Sequence, residues 1–588
     1  MAWKIHTDFK GYVNKVQKTK LPPGHLIAGS KNVLSTDDDL IATRKGRTLL
    51  GAANTALNPI ESSFEWASST GDELVLRSYD DELEFLYNNT TWYKLKESWS
   101  AVNFQYAAYY DTTEKLDLIL FVNGDANIYS WSGGQTTYAS LTSNTITKQG
   151  TATWAEKRFL TTGSVRILDS TGTWREYAYT GGIGTTTLTG VTPDPTATYT
   201  FTAGTVCVQS VVTTSNKPTT LWKNDIIGVL NNQIFIGSNS SNQVYQSAVD
   251  DFDNFTPAAT VGSPKLYTLD ATISAFIPGE EFMYISAGND FWYQIKNQLS
   301  ADLQAEETII TRLKTGTMQG AYSQGAVEAF KNYIAFISNE PTLDFLGRVE
   351  NVENAQQKPL SDPIKIDFDT YNFTNVHVKY FRNNIYIALP SQSLVLVYNI
   401  NKGYWEAPQV LPVRRLAIIN GELCGHSNSV PETYKLFTGY NDNDLPIEAI
   451  ARFSYENYGD RVAKKNFTKW YNELFITSNT EVVRKIYFDY QGANGTKVAT
   501  LKGNERKYTI IDSEGGGLGK ENLGKKKLAG DAPTDDMRKY RKINTEQLQD
   551  FYEICPEYSS YGVDQRWAIL AFGADVSLSK NSNYEITQ

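Results

Sequence analysis

The sequence has 588 residues, of which 41% are apolar, 20% charged and 13% aromatic, and this composition excludes a wholly disordered chain. Its formal net charge of −10 is opposite in sign to that of proteins that grip nucleic-acid phosphates over a large surface. Because Tyr, Phe, Trp, Thr and Val favour pleated, half-buried surfaces, the composition predicts a mostly β protein.

Residues 1–60 are polar and irregular, and they predict an extended N-terminal arm. The turn residues Leu21-Pro-Pro-Gly24 interrupt it, and the acidic run 37–39 lies close to three basic residues, Arg44, Lys45 and Arg47. Opposite charges at this spacing suit a segment that lies on the folded body or on a neighbouring subunit. We therefore predict that Arg44, Lys45 and Arg47 belong to an inter-subunit arm.

Between residues 61 and 442 one pattern recurs, in which a short apolar strand and a tight turn precede a second strand. The turns contain Asn-Gly, Asn-Asn or Gly-Asn, whose residues tolerate positive φ. Seven such units predict a distorted β-propeller, with 61–140 as its first part and 221–442 as its second. An irregular stack of β-sandwiches is the alternative. The units are 73–87, 116–131, 226–236, 282–293, 333–337, 385–399 and 416–424.

Residues 141–220 break the repeat, because they are rich in Ser and Thr and poor in charge. The stretch still alternates at 175–180, 185–190 and 198–202, with Thr prominent in the last two, and period-two alternation is typical of strands. The stretch is predicted to be a small β-barrel inserted between two blades, and a disordered Ser/Thr stalk is the alternative.

Residues 446–588 follow a turn-rich boundary at 441–446 and predict a C-terminal β-sandwich-like domain. Apolar, aromatic-rich runs at 470–476, 483–490 and 567–572 are expected to be its strands. A Gly- and Lys-rich excursion, 513–545, is predicted to be a flexible loop inside this domain, and 545–552 to be a short helix.

Motifs for catalysis and metal binding are scarce in this sequence. The four histidines are scattered, and none has a second His or Cys at ligand spacing. Two acidic clusters, 250–253 and 442–444, are weak calcium candidates because neither has the Gly and distal Glu of an EF-hand. Asp169–Trp174 resembles half of the Asp-box of sialidase-type propellers, which is a folding turn. We predict no enzyme activity, no cofactor and no metal.

One local concentration of basic residues is a candidate docking loop. The functional interpretation is that this loop binds an acidic surface or a nucleic-acid backbone, whereas the alternative is a solvated loop ordered by a neighbouring subunit. Nearby acids dilute its charge. The basic residues are Lys520, Lys525, Lys526, Lys527, Arg538, Lys539, Arg541 and Lys542.

Several short motifs resemble those of tail nozzle (tail tube hub) proteins of short-tailed, podovirus-like bacteriophages. The opening of that family runs from a glycine-containing turn, through an Asn-Val strand, to a basic Arg-x-Gly segment. The motifs cover about the first 440 residues. They are Asp8–Asn14, Leu21–Gly24, Lys31–Val33, Asp37–Asp39, Arg44–Gly46, Val249–Phe255, Leu360–Lys365 and Trp405-Glu406.

The resemblance implies a structural virion protein of the tail, made in the host cytoplasm. It implies a hexameric ring of identical copies below the head–tail adaptor protein, with tail fibres as further candidate partners. This ring would form part of the conduit for genome ejection, through which DNA passes transiently without tight binding. The family contributes no catalytic residues, so none are transferred. An acidic protein is consistent with a lumen that repels DNA.

A different class of function remains open at this stage. A glycan-binding or glycan-hydrolysing propeller, tailspike- or sialidase-like, would use the abundant aromatics to stack sugars. The assembly state distinguishes the two, because a ring needs several identical subunits whereas a glycosidase propeller can act as a monomer. No run of residues approaches the ~20 apolar residues of a membrane span, and residues 1–8 lack the apolar core of a signal peptide.

Overall fold

The chain folds into a propeller, a module inserted in one blade, and a C-terminal sandwich, all tied together by the N-terminal arm. This organisation is seen in a computed structural model, and no described helix is long and apolar enough to cross a bilayer. The described residues are 2–15, 21–54, 56–69, 71–125, 127–214, 225–256, 262–279, 282–288, 291–296, 310–313, 319–347, 359–459, 462–489, 496–503 and 538–579.

The arm consists of short strands, not of irregular chain alone. They are β1 (Ala2–His6), β2 (Lys10–Tyr12), β3 (His25–Leu26), β4 (Val33–Ser35), β5 (Ile41–Thr43) and β6 (Arg47–Leu50).

Seven small antiparallel sheets form the blades of the propeller. Blade 1 contains β7 (Ser62–Ala67), β8 (Glu73–Tyr79), β9 (Glu82–Tyr87) and β10 (Thr91–Lys96). Blade 2 contains β11 (Gln105–Asp111), β12 (Leu116–Val122), β13 (Ile128–Trp131) and, after the module, β20 (Val212–Thr214). Blade 3 contains β21 (Ile226–Leu230), β22 (Gln233–Gly237), β23 (Gln243–Gln246) and β24 (Lys265–Thr268). Blade 4 contains β25 (Ile273–Pro278), β26 (Phe282–Ala287), β27 (Phe291–Lys296) and β28 (Ile310–Leu313).

The remaining three blades are less regular. Blade 5 has three described strands, β29 (Val327–Phe330), β30 (Tyr333–Ile337) and β31 (Leu343–Gly347). Blade 6 contains β32 (His377–Phe381), β33 (Asn384–Leu389), β34 (Leu394–Asn399), β35 (Tyr404–Trp405) and β36 (Gln409–Val410), and β2 and β3 extend it. Blade 7 contains β37 (Val413–Ile419), β38 (Glu422–Ser427) and β39 (Thr433–Leu436).

The propeller is a closed ring of seven blades. The first strand of each blade contacts the first strand of the next, and β37 of blade 7 contacts β7 of blade 1. The arm completes the closure, because β6 pairs with β39 as the outer strand of blade 7. Each of the seven predicted units lies in a different blade, which confirms the propeller over the stack of sandwiches.

Adjacent blades pack through separate apolar clusters, and this explains the continuous apolar runs in the sequence. Alternate residues of one middle strand face opposite neighbours: in β12, Ile119 and Phe121 pack toward blade 1, whereas Leu118 and Leu120 pack toward blade 3. A strand buried on both faces is apolar at every position, not at every second one. The predicted tight turns are also present, since Asn231 and Asn232 both have positive φ between β21 and β22.

The Thr-rich module is inserted within blade 2, not between two blades as predicted. The chain leaves blade 2 after β13 and returns to pair β20 with β13. Its six strands form one sheet in the order β17-β16-β19-β14-β15-β18, not the closed barrel that was predicted, and isolated bridges at Ala178–Thr192 and Gly181–Thr189 lie beside its two edge strands. The strands are β14 (Gln135–Thr142), β15 (Thr145–Lys148), β16 (Gly163–Leu168), β17 (Trp174–Tyr179), β18 (Thr187–Thr189) and β19 (Val206–Gln209).

The C-terminal domain is a two-sheet sandwich, as predicted. One sheet has the order β40-β45-β42-β43, and the other has β46, β41 and β44 extended by arm strands β1, β4 and β5. Tyr558 and Trp470 hydrogen-bond between the two sheets inside the core. The strands are β40 (Ile447–Arg452), β41 (Lys465–Ile476), β42 (Glu481–Phe488), β43 (Thr496–Lys502), β44 (Arg538–Phe551), β45 (Ile554–Gly562) and β46 (Trp567–Leu578).

The predicted short helix at 545–552 was wrong, because 538–551 is the long strand β44. Side chains at 541, 543, 545, 547 and 549 are exposed while Tyr540, Leu548 and Phe551 are buried. Pairing with β41 therefore overrides the helix propensity of Glu, Gln and Leu in this segment. One α-helix, α1 (Lys365–Thr370), and four single 3₁₀ turns at 155–157, 324–326, 362–364 and 390–392 are described.

Candidate functional site

A cavity of about 490 Å³ lies at one end of the propeller axis. Its walls are the segments that enter the first strands of blades 2 to 7 and those that leave several second strands, so it opens on a single face of the propeller. Amide and hydroxyl side chains dominate the lining, and Asp225 and Arg415 are the charged residues among the described lining residues. Six representative polar residues are Asn103, Gln105, Asn239, Thr272, Ser323 and Asn375.

Arg415 lies at the floor of this cavity, where a second cavity of about 210 Å³ continues along the axis. The residue is only 8% exposed. Its Nε donates to the carbonyl oxygen of Glu61 at 3.0 Å, and Nη2 lies 3.5 Å from Oδ1 of Asn103. Burial, with the neighbouring Arg414, lowers the pKa of Arg415 to about 10. The carboxylate of Glu61 pairs with Arg414 instead, so none of the described carboxylates forms an ion pair with Arg415.

Ion pairs among the innermost strands occupy the deeper part of the axis. Lys379 of β32 contacts Glu65 of β7, and its Nζ lies 3.9 Å from the carboxylate of Glu328 in β29. Burial alone would lower the pKa of Lys379, but the two carboxylates raise it. Burial raises the pKa of Glu328 despite Lys379. The three residues link blades 1, 5 and 6 and line the second cavity, so a polar network surrounds the deeper part of the axis.

Ion pairs and hydrogen bonds hold the side chains of this network in place. Both carboxylates share one lysine, and Nδ1 of His377 lies 3.2 Å from the backbone nitrogen of Leu416, which donates to it. Burial, followed by the charges of Arg415 and Lys379, lowers the pKa of His377 well below its usual value. The arrangement suits a role of these side chains in positioning and binding.

The sequence analysis missed these axial residues. The available signal was a charged or polar residue at alternate positions of an otherwise apolar first strand, as in Val327–Phe330 and His377–Phe381. An alternation of this kind is typical of a strand with one face toward an interior polar space, but only the closed ring reveals that the three strands share one axis.

Three of the motifs that resemble tail hub proteins, Asp8–Asn14, Leu360–Lys365 and Trp405-Glu406, meet at a joint between the arm and blade 6. Tyr12 of β2 pairs with Trp405, whose indole N–H donates to the carbonyl oxygen of Leu360 at 2.8 Å. The side-chain amide of Asn14 donates to Asp367 at 2.7 Å. The backbone N–H of Ser35 donates to Glu406 at 2.9 Å, and its hydroxyl also contacts that carboxylate.

Burial raises the pKa of Glu406 to about 7, and the hydrogen bonds from Ser35 oppose this shift. The motif residues at this joint therefore hold parts of the fold together.

The predicted inter-subunit role does not fit Arg44, which is buried within its own chain. Its guanidinium forms a bidentate pair with Asp442, with Nη1–Oδ1 and Nη2–Oδ2 distances of 2.7 and 2.5 Å. Nε donates to Asn32, and Nη2 also donates to the carbonyl oxygen of Val410. A residue with this many internal partners has no group left for a neighbour.

The other two residues of the predicted arm cluster differ in exposure. Arg47 belongs to β6, and its guanidinium lies 4.2 Å from the ring centroid of Tyr434 in blade 7. Gly46 lies against the backbone of Asn441, where a Cβ would be 1.9 Å from the carbonyl oxygen. Lys45 is exposed, and its inter-subunit role stays a prediction.

The candidate docking loop is divided by the structure. Lys520, Lys525, Lys526 and Lys527 lie outside the described residues, whereas Arg538, Lys539, Arg541 and Lys542 belong to β44. The predicted loop was therefore wrong for 538–545. Glu473 of β41 neutralises part of this charge, because it contacts Lys539 and accepts a hydrogen bond of 2.9 Å from Nε of Arg541.

The remaining candidates are structural where they are described. Asp442 of the second acidic cluster is the partner of Arg44, and Asp250 of the first accepts a hydrogen bond from Asn232. No group of three or more potential metal ligands occurs among the described residues. Cys207, Cys424 and Cys555 are buried thiols outside any disulfide bond.

The Asp-box-like turn connects β16 and β17 and is a folding element, as expected. Oδ1 of Asp169 accepts hydrogen bonds from the backbone N–H groups of Thr171 and Thr173 at 2.8 and 2.9 Å, and from the Thr171 hydroxyl. Nε of Arg175 donates to Oδ2 at 2.9 Å. These hydrogen bonds hold the pKa of Asp169 well below its usual range.

No family model matches this chain, and no curated protein matches it. Several solved structures are similar to it at low identity. The WD40 β-propeller domain of Doa1 is 10% identical, covers 66% of this chain and 96% of its own, and gives a TM-score of 0.34. The structure described as YCF48 bound to D1 peptide is 8% identical, with 70% and 98% covered and a TM-score of 0.35. A computationally designed protein, Ika8, is 10% identical, with 66% and 100% covered and a TM-score of 0.32.

Proposed function

We propose that this chain is a structural virion protein that assembles with copies of itself into a ring and forms part of a tail conduit for genome ejection. The resemblance of its arm and blade motifs to tail hub proteins supports this function. In this proposal the motif residues build the rigid body that a ring subunit needs. The protein would have no catalytic activity.

The observation that carries the proposal is an apolar patch on the outer face of the sandwich sheet that contains the arm. Trp3, Ile5 and Ile543 are 43%, 48% and 54% exposed. Ile5, Gly573, Tyr471 and Ile543 occupy one row across four paired strands. Trp3 packs edge-on against Tyr471 at 6.4 Å. Contiguous exposed apolar surface of this kind favours a protein partner.

A second copy of the chain is the partner that a ring requires. Ring closure needs a heterologous contact, in which the patch of one subunit meets a different surface of the next. The conduit would then be the space between subunits, because the ion pairs of Lys379 join blades 1, 5 and 6 across the propeller axis. The net charge of −10 favours passage of DNA without tight binding.

The test is the assembly state of the full-length protein with its affinity tag removed, because Trp3 is near the first residue and pairs with Asp575 close to the end of β46. Sedimentation velocity and negative-stain imaging should reveal closed rings, and the triple change Trp3→Ser, Ile5→Ser, Ile543→Ser should shift the population toward monomers. Val498→Ser is the matched control, because Val498 is 59% exposed but lies on the other sheet. A monomer at all concentrations, or a triple variant that assembles like the wild type, would contradict the proposal.

A second candidate function is glycan binding, and the axial cavity favours it. Amide and hydroxyl side chains that face a cavity of about 490 Å³ suit a hydroxyl-rich ligand. Hydrolysis is a weaker alternative, because Glu65 and Glu328 both contact Lys379 and so are not free as an acid and a base. Titration of neutral and acidic sugars into the full-length protein tests this function separately from assembly.

A further inference from the structure

We propose that the axial cavity binds a small hydroxylated anion, a sugar acid or a sugar phosphate, whose acidic group lies against Arg415. This inference rests on the second candidate function and is independent of ring assembly. It starts from Arg415, a buried charge in the cavity that forms no ion pair with any of the described carboxylates.

Arg415 is placed to receive an anion. A buried guanidinium without a counter-charge is destabilising, and most such residues are paired with a carboxylate. Two other buried arginines follow that rule: Arg44 pairs with Asp442 and Arg77 pairs with Glu84. Arg415 departs from it, since Glu61 offers it a backbone carbonyl while the Glu61 carboxylate binds Arg414.

The surroundings keep the guanidinium directed at the axial space. Nη1 lies over Gly325, where a Cβ would approach it to 2.7 Å, so the absence of a side chain makes room for the guanidinium. Gly325 and Arg415 both line the wide cavity and the deeper one, so the guanidinium lies where the two meet. The positive field extends to buried neighbours, because Arg415 contributes, after burial, to lowering the pKa of both His377 and His426.

The rest of the cavity suits the hydroxyl groups of a sugar. The side chains of Asn239, Thr272, Ser323 and Asn375 make no hydrogen bond to the described residues and face the cavity. Asp225 supplies an acceptor, and one of its oxygens is already held by the Ser238 hydroxyl at 2.7 Å. A volume near 490 Å³ lies within the range of about 300–1,000 Å³ that is usual for small-molecule sites.

The chemistry favours carboxylate or phosphate over a neutral ligand. Arginine presents a planar fork that matches the oxygens of either group, and hydrogen bonds between two charged partners are stronger than neutral ones. A neutral sugar would leave the guanidinium uncompensated. We therefore expect affinity to depend on the acidic group, with the hydroxyl groups adding selectivity over simple anions.

The experiment is isothermal titration of the full-length protein with D-glucuronate, glucose 6-phosphate, glucose, acetate and inorganic phosphate. Glucuronate or glucose 6-phosphate should bind, and the comparison between these two identifies the preferred acidic group. Glucose, acetate and phosphate should each bind at least about tenfold more weakly, because glucose lacks the acidic group whereas acetate and phosphate lack the sugar hydroxyl groups.

Variants locate the site. Arg415→Met should abolish binding, and Asn375→Ala and Asn239→Ala should each weaken it several-fold. Arg382→Met is the matched control, because Arg382 is exposed in the β32–β33 turn, at the opposite end of the blade from the cavity. If Arg415→Met does not fold, the two asparagine variants still test the site, since their side chains have no described partner to lose.

Three results would overturn the proposal. Absence of binding by all five compounds would remove both this inference and the glycan-binding candidate. Glucose that binds as well as glucuronate, with no effect of Arg415→Met, would retain glycan binding and reject the anion site. Binding that survives the asparagine changes and Arg415→Met would place the ligand elsewhere.

Discussion

The N-terminal arm and the Thr-rich module are both additions to the propeller, but they are joined to it in opposite ways. The arm contributes β6 to blade 7, β2 and β3 to blade 6, and β1, β4 and β5 to the sandwich. The module has one sheet and its own apolar cluster, which includes Trp154, Tyr177 and Leu188. The module is thus more independent of the propeller than the arm is.

The module is nevertheless tied to the propeller at a few points. Nε of Arg158 donates to the carbonyl oxygen of Ser132 at 2.8 Å, and Nη2 donates to that of Asp117 at 2.7 Å. Val206 and Val208 pack in the cluster between blades 1 and 2. These contacts are local to its point of insertion, whereas the arm contacts residues hundreds of positions away.

The largest effect is expected from deletion of residues 1–50. Blade 7 would lose its outer strand, blade 6 its extension, and the sandwich sheet three strands, so the chain should not reach a cooperative fold. Far-UV circular dichroism and thermal unfolding would test this. A truncated protein that unfolds at the wild-type temperature would contradict the claim that the fold depends on the arm more than on the module.

Arg44→Met should destabilise the chain by about 3–5 kcal/mol, because it leaves the Asp442 carboxylate without its buried partner. Urea unfolding would measure the change. Lys45→Met is the matched control, since the neighbouring side chain is exposed, and it should change the free energy of unfolding by less than about 0.5 kcal/mol. Equal effects of the two changes would argue that the arm is only loosely held.

Glu406→Gln should alter how stability depends on pH. The pKa of Glu406 is about 7 in the fold, against 4.5 for the reference carboxyl, so the folded state binds more protons than the unfolded state between these values. This group therefore lowers stability as pH rises from 4.5 to 7, by at most about 3 kcal/mol.

His426 has the opposite effect and raises stability as pH rises. Burial lowers its pKa to about 3 in the folded state, so on acidification the unfolded state binds the proton at a higher pH than the folded state does. The difference between wild type and Glu406→Gln, followed by urea unfolding from pH 4.5 to 7, isolates the carboxyl. A difference that does not change with pH would contradict the assigned shift.

Asp169→Ala should loosen the module alone, by about 1–3 kcal/mol, because the Thr171 and Thr173 backbone N–H groups lose their acceptor. Hydrogen exchange should quicken in β16 and β17 and stay unchanged in blade 7. Asp194→Ala is the control, since Asp194 also accepts from a threonine turn but is exposed. Faster exchange throughout the propeller would mean that the module is part of the central core.

The smallest effect on assembly is expected when residues 134–209 are replaced by a short Gly-Ser join. The two ends of the module are adjacent, because Ser130 of β13 pairs with Val212 of β20. The trimmed chain should keep its β signal and its oligomeric state, with lower stability from the lost Arg158 and Val208 contacts. Aggregation of the trimmed chain would place the module in the core.

Local patterns in the sequence predicted much of this fold. The seven strand–turn units, the tight Asn turns and the aromatic strands of the sandwich follow from periodicity and turn chemistry, which act over a few residues. The insertion point within blade 2 could not be predicted, because β20 has only three residues and carries no pattern of its own. The Arg44–Asp442 pair joins two charged turns whose proximity depends on ring closure.

The candidate site was less predictable than the fold. Arg415 follows Arg414 in a basic pair that is typical of a solvated strand end, and only the closed ring places it on the axis. The pairing of β44 with β41 likewise depends on a partner about 70 residues away, which local helix propensity does not include. In both cases long-range packing determines the outcome: the position of Arg415 on the axis and the strand conformation of β44.

Closure of blade 7 by β6 has a consequence for synthesis of the chain on the ribosome. Thr433 pairs with Leu50, so 383 residues separate the two halves of the last blade. At roughly 5–20 residues per second, about 20–80 seconds pass between translation of the first partner and the second. Throughout that interval the nascent chain displays an unpaired strand edge, and the slowest step of maturation should be this final long-range pairing.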